Sequence, residues 1–110
     1  MQTSYFALSS NHPKAVSIAA ISPKTFKGRE YKKLAPKFWF FKKYKEDKDE
    51  KFYTEQYWKG VLNLLNPQEV YNELGEDAVL LCWEGKGKFC HRHLVADWFK
   101  QKLGMEVMEL

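Results

Sequence analysis

Two nearly uninterrupted apolar runs constrain the fold more than any other feature of this sequence. The first, Ala15 to Ile21, reads AVSIAAI, and the second, Asp77 to Trp83, reads DAVLLCW. Apolar runs of this length are typical of strands that are buried on both faces of a sheet, because a half-exposed strand alternates apolar and polar residues. We therefore expect both runs to form strands in the middle of a mainly parallel sheet, with helices above and below it.

The remaining segments supply the helices and outer strands that such a sheet needs. Asn66 and Pro67 are typical of the start of a helix, and Gly75 and Gly104 are typical of helix ends. The predicted elements outside the two runs are a strand at Thr3 to Leu8, a long loop at Ser22 to Ala35, a short helix after Pro36, helices at Lys51 to Leu65, Asn66 to Gly75 and Leu94 to Leu103, and an edge strand at Met105 to Leu110. This order predicts an α/β fold, with residues 1–110 as one small layered domain whose mainly parallel sheet is flanked by helices.

The charge of the chain is positive and unevenly distributed. The formal net charge is +4, and the stretch from Lys24 to Lys45 contains nine basic residues against one acid, Glu30. A positive field of this kind attracts a phosphate-bearing small molecule or a nucleic acid, although solubility alone would also explain it. The connector from Lys45 to Lys51 reads KEDKDEK. We expect it to face solvent and to take no part in chemistry.

The apolar runs and the cysteine content indicate where the protein is located in the cell. No apolar run approaches the roughly 20 residues that cross a bilayer, and two cysteines do not make a disulfide framework of the secreted type. The expectation is a cytoplasmic protein with both thiols reduced, no membrane partner, and a monomeric or small homo-oligomeric state.

The segment from Leu80 to Asp97 concentrates the residues that carry chemistry. Cys82 ends the second apolar run, and Cys90 stands where the last long helix begins. The turn between them contains Gly85 and Gly87, which allow the backbone to pass close to a ligand but are also usual in any tight turn. Ligands of open α/β sheets bind at the carboxyl ends of the strands, so this edge is the expected site.

Basic residues occupy a helix start that normally carries acids. His91, Arg92 and His93 follow Cys90, and no acid occurs before Asp97. The positive end of the helix dipole makes this arrangement unfavourable unless an anion binds there, so we expect His91 and Arg92 to hold a phosphate or carboxylate. The alternative, which stays open, is a structural ion pair of Arg92 with Glu84 or Asp97.

Cys90, Glu84 and His91 are the candidates for catalysis in this segment. Cys90 should be the better nucleophile, since the helix start and its basic neighbours favour the thiolate. Glu84 could serve as a general base or orient His91. Cys82 is more often a buried small apolar residue, but its position at the strand end could expose it to a ligand, so we name it with Arg92 as ligand-binding. Zinc would need Cys82, Cys90, His91 and His93 together, but their spacing is unusual and the two histidines should point to different sides of the helix. We expect no metal and no cofactor.

These residues resemble a known family. The strand Leu80 to Glu84, reading LLCWE, and the helix start Cys90 to Trp98, reading CHRHLVADW, are similar to the signature of domain-of-unknown-function family 488. The likeness extends along nearly the whole chain, through Ser4-Tyr5-Phe6, Ile21-Ser22 and the stretch from Gly28 to Pro36. The resemblance implies a compact α/β domain without an established activity. It also implies that six more residues could approach the site, namely Ser4, Tyr5, Ser22, Lys24, Tyr31 and Lys32.

Two function hypotheses remain open from the sequence. The first is a small enzyme acting on a phosphate-bearing substrate, with Cys90 as nucleophile or polariser and Glu84 as acid or base. The second is a module that binds a nucleotide or nucleic acid without turning it over, or that serves only as an interaction domain. The residues do not separate these hypotheses.

Overall fold

Five parallel strands form one sheet in the computed structural model, which describes all 110 residues. The strands are β1 (Gln2–Tyr5), β2 (Ala15–Ser17), β3 (Arg29–Glu30), β4 (Val79–Cys82) and β5 (Met108–Glu109). Their order across the sheet is β3-β2-β4-β1-β5, and every neighbouring pair is parallel. The predicted α/β fold is confirmed, with the second apolar run at the centre of the sheet and the last strand at one edge.

Five α-helices and two 3₁₀ turns connect the strands. The helices are α1 (Phe6–Ser9), α2 (Phe38–Asp47), α3 (Glu50–Gly60), α4 (Pro67–Leu74) and α5 (His91–Leu103), and the 3₁₀ turns are Lys32–Leu34 and Leu62–Leu64. The predicted cap of α4 is confirmed, because the side-chain oxygen of Asn66 accepts hydrogen bonds from two backbone N–H groups of the first turn. None of the helices combines the length and the apolar character that crossing a bilayer requires.

The two faces of the sheet are covered unequally. Val16 and Leu80 belong to a core cluster of 17 buried residues, which also includes side chains of α2, α3, α4 and α5. Val79 and Leu81 point to the other face, into a cluster of five buried residues that contains Phe6 of α1. Helices therefore lie on both faces as predicted, but the second face carries only the single turn of α1.

Several predicted elements differ from the structure in their bounds. The strand predicted at Thr3 to Leu8 ends at Tyr5, where α1 begins, and the strand predicted at Ala15 to Ile21 ends at Ser17. Beyond Ser17 the backbone carbonyls accept side-chain hydrogen bonds, from His91 at Ile18 and from Lys32 at Ala20, so the strand ladder stops. The predicted loop from Ser22 to Ala35 contains β3 and a 3₁₀ turn, which the sequence conceals because both residues of β3 are exposed and polar.

Candidate functional site

Cys82 and Cys90 meet at the carboxyl edge of the sheet. Cys82 is the last residue of β4, and Cys90 is the N-cap residue of α5, so the turn between them brings the chain back to the same edge. The two cysteines are joined by a disulfide, with their Cα atoms 7.0 Å apart. The expectation that both thiols are reduced is therefore wrong for this structure. The two cysteines are eight positions apart in the sequence, and this spacing alone did not predict that the turn between them brings their sulphur atoms together.

The His91 ring is buried and held in one orientation. Its Nε2 atom lies 2.6 Å from the carbonyl oxygen of Ile18, which only accepts hydrogen bonds, so Nε2 carries the proton. The unprotonated Nδ1 faces the sulphur of Cys90 at 3.8 Å. Burial, helped by the charge of Arg92, lowers the pKa of His91 to about 4, although the hydrogen bond to Ile18 acts in the opposite direction. His91 is therefore neutral near pH 7, and with its N–H on the Ile18 carbonyl oxygen it has neither a charge nor a free donor to offer an anion.

Arg92 is fully buried and has all of its donors occupied. Its Nε and Nη2 atoms donate to the carboxylate of Glu109 at distances of 2.9 to 3.3 Å. Its Nη1 atom donates to the Glu84 carbonyl at 2.7 Å and lies 3.2 Å from the Cys82 sulphur, while Nη2 also donates to the Gly85 carbonyl. The expectation that Arg92 binds a ligand anion is wrong, because no N–H group is left to donate.

Glu109 is the acid that the helix start was missing. The sequence offered Glu84 and Asp97 as partners for Arg92, but the structure pairs it with Glu109 of β5. Burial by itself raises the pKa of Glu109, but the hydrogen bonds from Arg92 and Thr3 outweigh it and hold that pKa below the ordinary value of 4.5. The pairing could not be read from the sequence, because it depends on β5 lying beside β1.

One pocket opens in front of the disulfide, with a volume of about 90 Å³. Cys82, Cys90 and His91 form its floor together with Glu84, whose side chain is exposed. The other lining residues are Ala19, Ala20, Phe41, Tyr44, Lys45, Lys48, Tyr53, Trp83 and Phe89. Four of the five central residues named from the sequence therefore line one cavity, and Arg92 lies behind it.

Helix α2 and Lys48, the residue that ends it, supply the cationic side of this pocket. Lys45 and Lys48 both line it, and both are exposed to solvent. The Lys45 ammonium lies 4.9 Å from the ring centre of Phe41, and that of Lys48 lies 5.1 Å from the ring centre of Tyr44. Lys45 and Lys48 face solvent, as predicted for the connector from Lys45 to Lys51, but they also line this pocket, which the sequence did not predict. Their helical spacing on the side of Phe41 and Tyr44 was the signal that sequence reasoning missed.

Two of the residues implied by the family resemblance lie next to this pocket. Ser22 and Lys32 line a second cavity, which shares Ala20 with the first. The Lys32 ammonium lies 2.9 Å from the Ala20 carbonyl oxygen and forms a salt bridge with Glu30 at 3.3 Å. The Ser22 hydroxyl donates to the hydroxyl of Ser17 and to the carboxylate of Glu30. Ser22 and Lys32 therefore flank the site but do not line it.

The other four implied residues do not line the pocket. Ser4 is buried with its hydroxyl on Ser9, and the ring centre of Tyr5 lies 5.7 Å from the Arg92 guanidinium. Tyr31 donates to the carboxylate of Glu73, and Lys24 is exposed without an ion pair. Of these, only Tyr5 touches the site, through Arg92.

The fold and the site together define a class of protein: a small parallel α/β domain with paired sulphurs and a buried neutral imidazole at the carboxyl edge of its sheet. The chain belongs to the DUF488 family, since residues 8–103 match the family model DUF488-N3a, described as the active DUF488-N3 subclade. The resemblance found in the sequence is thereby confirmed. No curated protein and no solved structure gave a significant match.

Proposed function

We propose that the chain is a small thiol-dependent enzyme that acts on a substrate carrying an anionic group, such as a phosphate. Cys90 is the nucleophile in its reduced form, and Lys45 and Lys48 bind the anion. The observation that carries the proposal is the pocket itself, which combines two buried sulphurs, a buried imidazole and two exposed ammonium groups. The description of the matched family as an active subclade agrees with a catalytic site.

The start of α5 supports Cys90 as the nucleophile. Cys90 is the N-cap residue of a helix of 13 residues, so its sulphur lies at the positive end of the helix dipole, where a thiolate is favoured. The lone pair of His91 Nδ1, 3.8 Å from that sulphur, can accept a hydrogen bond from the Cys90 thiol and so hold its S–H group in place. Glu84, at the wall of the same pocket, is available to transfer a proton to or from the substrate.

Cys82 has a supporting role in this proposal. Its sulphur lies 3.2 Å from Nη1 of Arg92, a charged donor that stabilises negative charge on sulphur. Cys82 can therefore leave as a thiolate when an external thiol attacks the Cys90 sulphur, and a second thiol then releases Cys90 from the mixed disulfide, leaving the external thiols joined as a disulfide. The disulfide is the inactive oxidised form of the site in this account.

Lys45 and Lys48 replace His91 and Arg92 as the anion-binding residues. Both lysines have exposed ammonium groups. His91 and Arg92, which the sequence suggested for this role, have their N–H groups occupied within the chain. The anion then enters at the mouth of the pocket, and the reacting atom of the substrate reaches Cys90 at its floor. A phosphate group fits this arrangement in a small molecule and at the end of a nucleic acid alike.

Two alkylating agents of different charge test this proposal. Iodoacetate carries a carboxylate and iodoacetamide is neutral, so the ratio of their rates at Cys90 reports attraction of an anion into the pocket. We expect the K45A/K48A variant to lower this ratio several-fold without changing the iodoacetamide rate. The matched control K100A/K102A removes the same charge from the far end of α5 and should leave the ratio unchanged. Equal ratios in all three proteins would reject anion binding by these lysines.

A further inference from the structure

Three metal-ligating atoms surround one buried point behind the pocket. Cys82, Cys90 and His91 each offer one ligand atom, and the three atoms lie within 4.8 Å of one another. All three residues are buried, with exposed fractions of 1%, 7% and 5%. Thiolate sulphur and imidazole nitrogen are the ligands that Zn²⁺ prefers in proteins. His93, the fourth ligand weighed from the sequence, is not part of the group.

The distances in this group fit a tetrahedral zinc ion. Zn–S and Zn–N bonds of about 2.3 and 2.05 Å at a tetrahedral angle place sulphur and nitrogen about 3.6 Å apart, and two sulphurs about 3.8 Å apart. The observed distance from His91 Nδ1 to Cys90 Sγ is 3.8 Å. The two sulphurs have to separate and Cys82 Sγ has to approach His91, since the three atoms lie only within 4.8 Å of one another. Reduction of the disulfide frees the Cys82 sulphur to make both movements.

The contacts of His91 prepare its Nδ1 atom as a ligand. A histidine that binds a metal usually donates its other ring N–H to a carboxylate or a backbone carbonyl, which fixes the tautomer and the direction of the lone pair. His91 already makes this contact, from Nε2 to the Ile18 carbonyl oxygen at 2.6 Å. The ring therefore needs no change of proton position to bind a metal.

The charges around the sulphurs also favour a dication. Two thiolates in a buried site would carry two uncompensated negative charges, which is costly. Arg92 stabilises the Cys82 thiolate through one N–H group, but it does not neutralise the two thiolates, because its charge is already paired with Glu109 at 2.9 Å. A Zn²⁺ ion balances both thiolates, and the N–H of Arg92 on Cys82 then acts as an outer hydrogen bond to a ligating sulphur.

We propose that the reduced protein binds one Zn²⁺ ion through Cys82 Sγ, Cys90 Sγ and His91 Nδ1, with the fourth position open to the pocket. Three protein ligands with an open position are typical of zinc sites that bind water or a substrate atom. The inference goes beyond the proposed function and does not rest on it. A sulphur held by zinc is a poor nucleophile, so metal binding and alkylation of Cys90 exclude each other.

Reduction of the disulfide and binding of Zn²⁺ are two separate steps, and atoms and electrons balance in each of them. A phosphine reductant attacks one sulphur, the S–S bond breaks, and water completes the reaction, which gives two thiols and the phosphine oxide. The phosphine loses two electrons and the disulfide gains them. Zn²⁺ then replaces the two thiol protons, which leave to solvent, and forms two Zn–S bonds and one Zn–N bond.

Cobalt is the direct probe, since Co²⁺ occupies tetrahedral zinc sites and reports thiolate ligands by an intense charge-transfer band in the near ultraviolet. The experiment titrates Co²⁺ into reduced protein without oxygen and then displaces it with Zn²⁺. We expect one Co²⁺ per chain with strong tetrahedral bands in the visible region. C82S and C90S should each weaken the charge-transfer band and lower the affinity at least tenfold, and H91Q should lower the affinity without removing the band. The matched control H93A should behave as wild type.

A second measurement needs no variant that could fail to fold. Zn²⁺ in slight excess should protect both cysteines of the reduced wild-type chain from alkylation, whereas Mg²⁺ at the same concentration should not. Weak octahedral cobalt bands without charge transfer, or equal alkylation with and without Zn²⁺, would overturn the zinc site. The alkylation ratios of the proposed function are measured with a chelator present, so each proposal fails independently.

Discussion

The guanidinium of Arg92 donates to both carboxylate oxygens of Glu109, which ties the start of α5 to the edge strand β5. Positively charged side chains at the start of a helix, where the helix dipole is also positive, are stabilised by a negatively charged partner. Glu109 of the same chain is that partner, so the start of α5 needs no bound anion to balance the charge of Arg92. The same contact fixes the guanidinium beside Cys82, and the electrostatics of the site therefore depend on a residue at the end of the sequence.

The Glu109 side chain should contribute strongly to stability. E109Q leaves the buried guanidinium of Arg92 without a counter-charge, and we expect it to lower the free energy of unfolding by about 2–3 kcal/mol. The matched control is E106Q, which removes the partner of Lys100 from an ion pair exposed by about two thirds on both sides. That change should cost less than about 0.5 kcal/mol in urea unfolding. Equal losses for the two variants would contradict the buried pair.

Acid should weaken the same contact in a defined direction. The pKa of Glu109 is lowered in the folded chain, so its contribution to stability is present above the ordinary carboxyl value of 4.5 and is lost as the pH falls through the lowered pKa. We expect the difference in unfolding free energy between wild type and E109Q to shrink below about pH 4. Urea unfolding at several pH values measures it. A difference that stays constant into acid would show that Glu109 does not titrate in this way.

Nitrogen NMR can check the state of the His91 ring. The contact with Ile18 predicts the tautomer with the proton on Nε2 and a free lone pair on Nδ1. Spectra of uniformly ¹⁵N-labelled protein near pH 7 distinguish this tautomer from the alternative and from the charged ring. His12, which is exposed and accepts a backbone hydrogen bond at Nδ1 from Lys14, provides an internal comparison. A charged His91 near neutral pH would contradict the structure.

The features that were predicted correctly depend on residues close together in the sequence, whereas the missed contacts join residues that are far apart in it. The strands β2 and β4, the cap at Asn66 and the end of α5 at Gly104 follow from local patterns, and all were predicted. The short strand β3 was missed because its two exposed residues leave no apolar pattern. The first strand was predicted too long, because Phe6 continues the apolar character of β1 into α1.

The sequence predicted which segment forms the candidate site, but not which side chains contact one another within it. Cys82, Glu84, Cys90 and His91 do lie together, because a strand end and a helix start separated by a short turn must be neighbours. The partner of Arg92 could not be predicted, since Glu109 is 17 residues away and arrives through the pairing of β5 with β1. Lys45 and Lys48 were missed for a similar reason, as the packing of α2 against the α5 entrance depends on tertiary structure.

A buried hydrogen bond beneath α2 should support the lysine side of the pocket. The Tyr57 hydroxyl donates to the Leu34 carbonyl at 2.6 Å, just before the chain enters α2, and Tyr57 is fully buried. Y57F leaves that carbonyl without its partner, so we expect a loss of about 1–2 kcal/mol in unfolding free energy. The matched control Y71F removes a hydroxyl that makes no hydrogen bond within the chain. It should change stability by less than about 0.5 kcal/mol.

The most direct test of the thiol site is the rate at which each cysteine of the reduced, metal-free chain reacts with iodoacetamide at pH 7. Mass spectrometry of the peptides assigns each rate to Cys82 or Cys90. Cys90 should react first, about tenfold faster than in the urea-unfolded chain, because the helix start favours its thiolate. Faster reaction at Cys82, or a Cys90 rate no higher than in the unfolded chain, would contradict it.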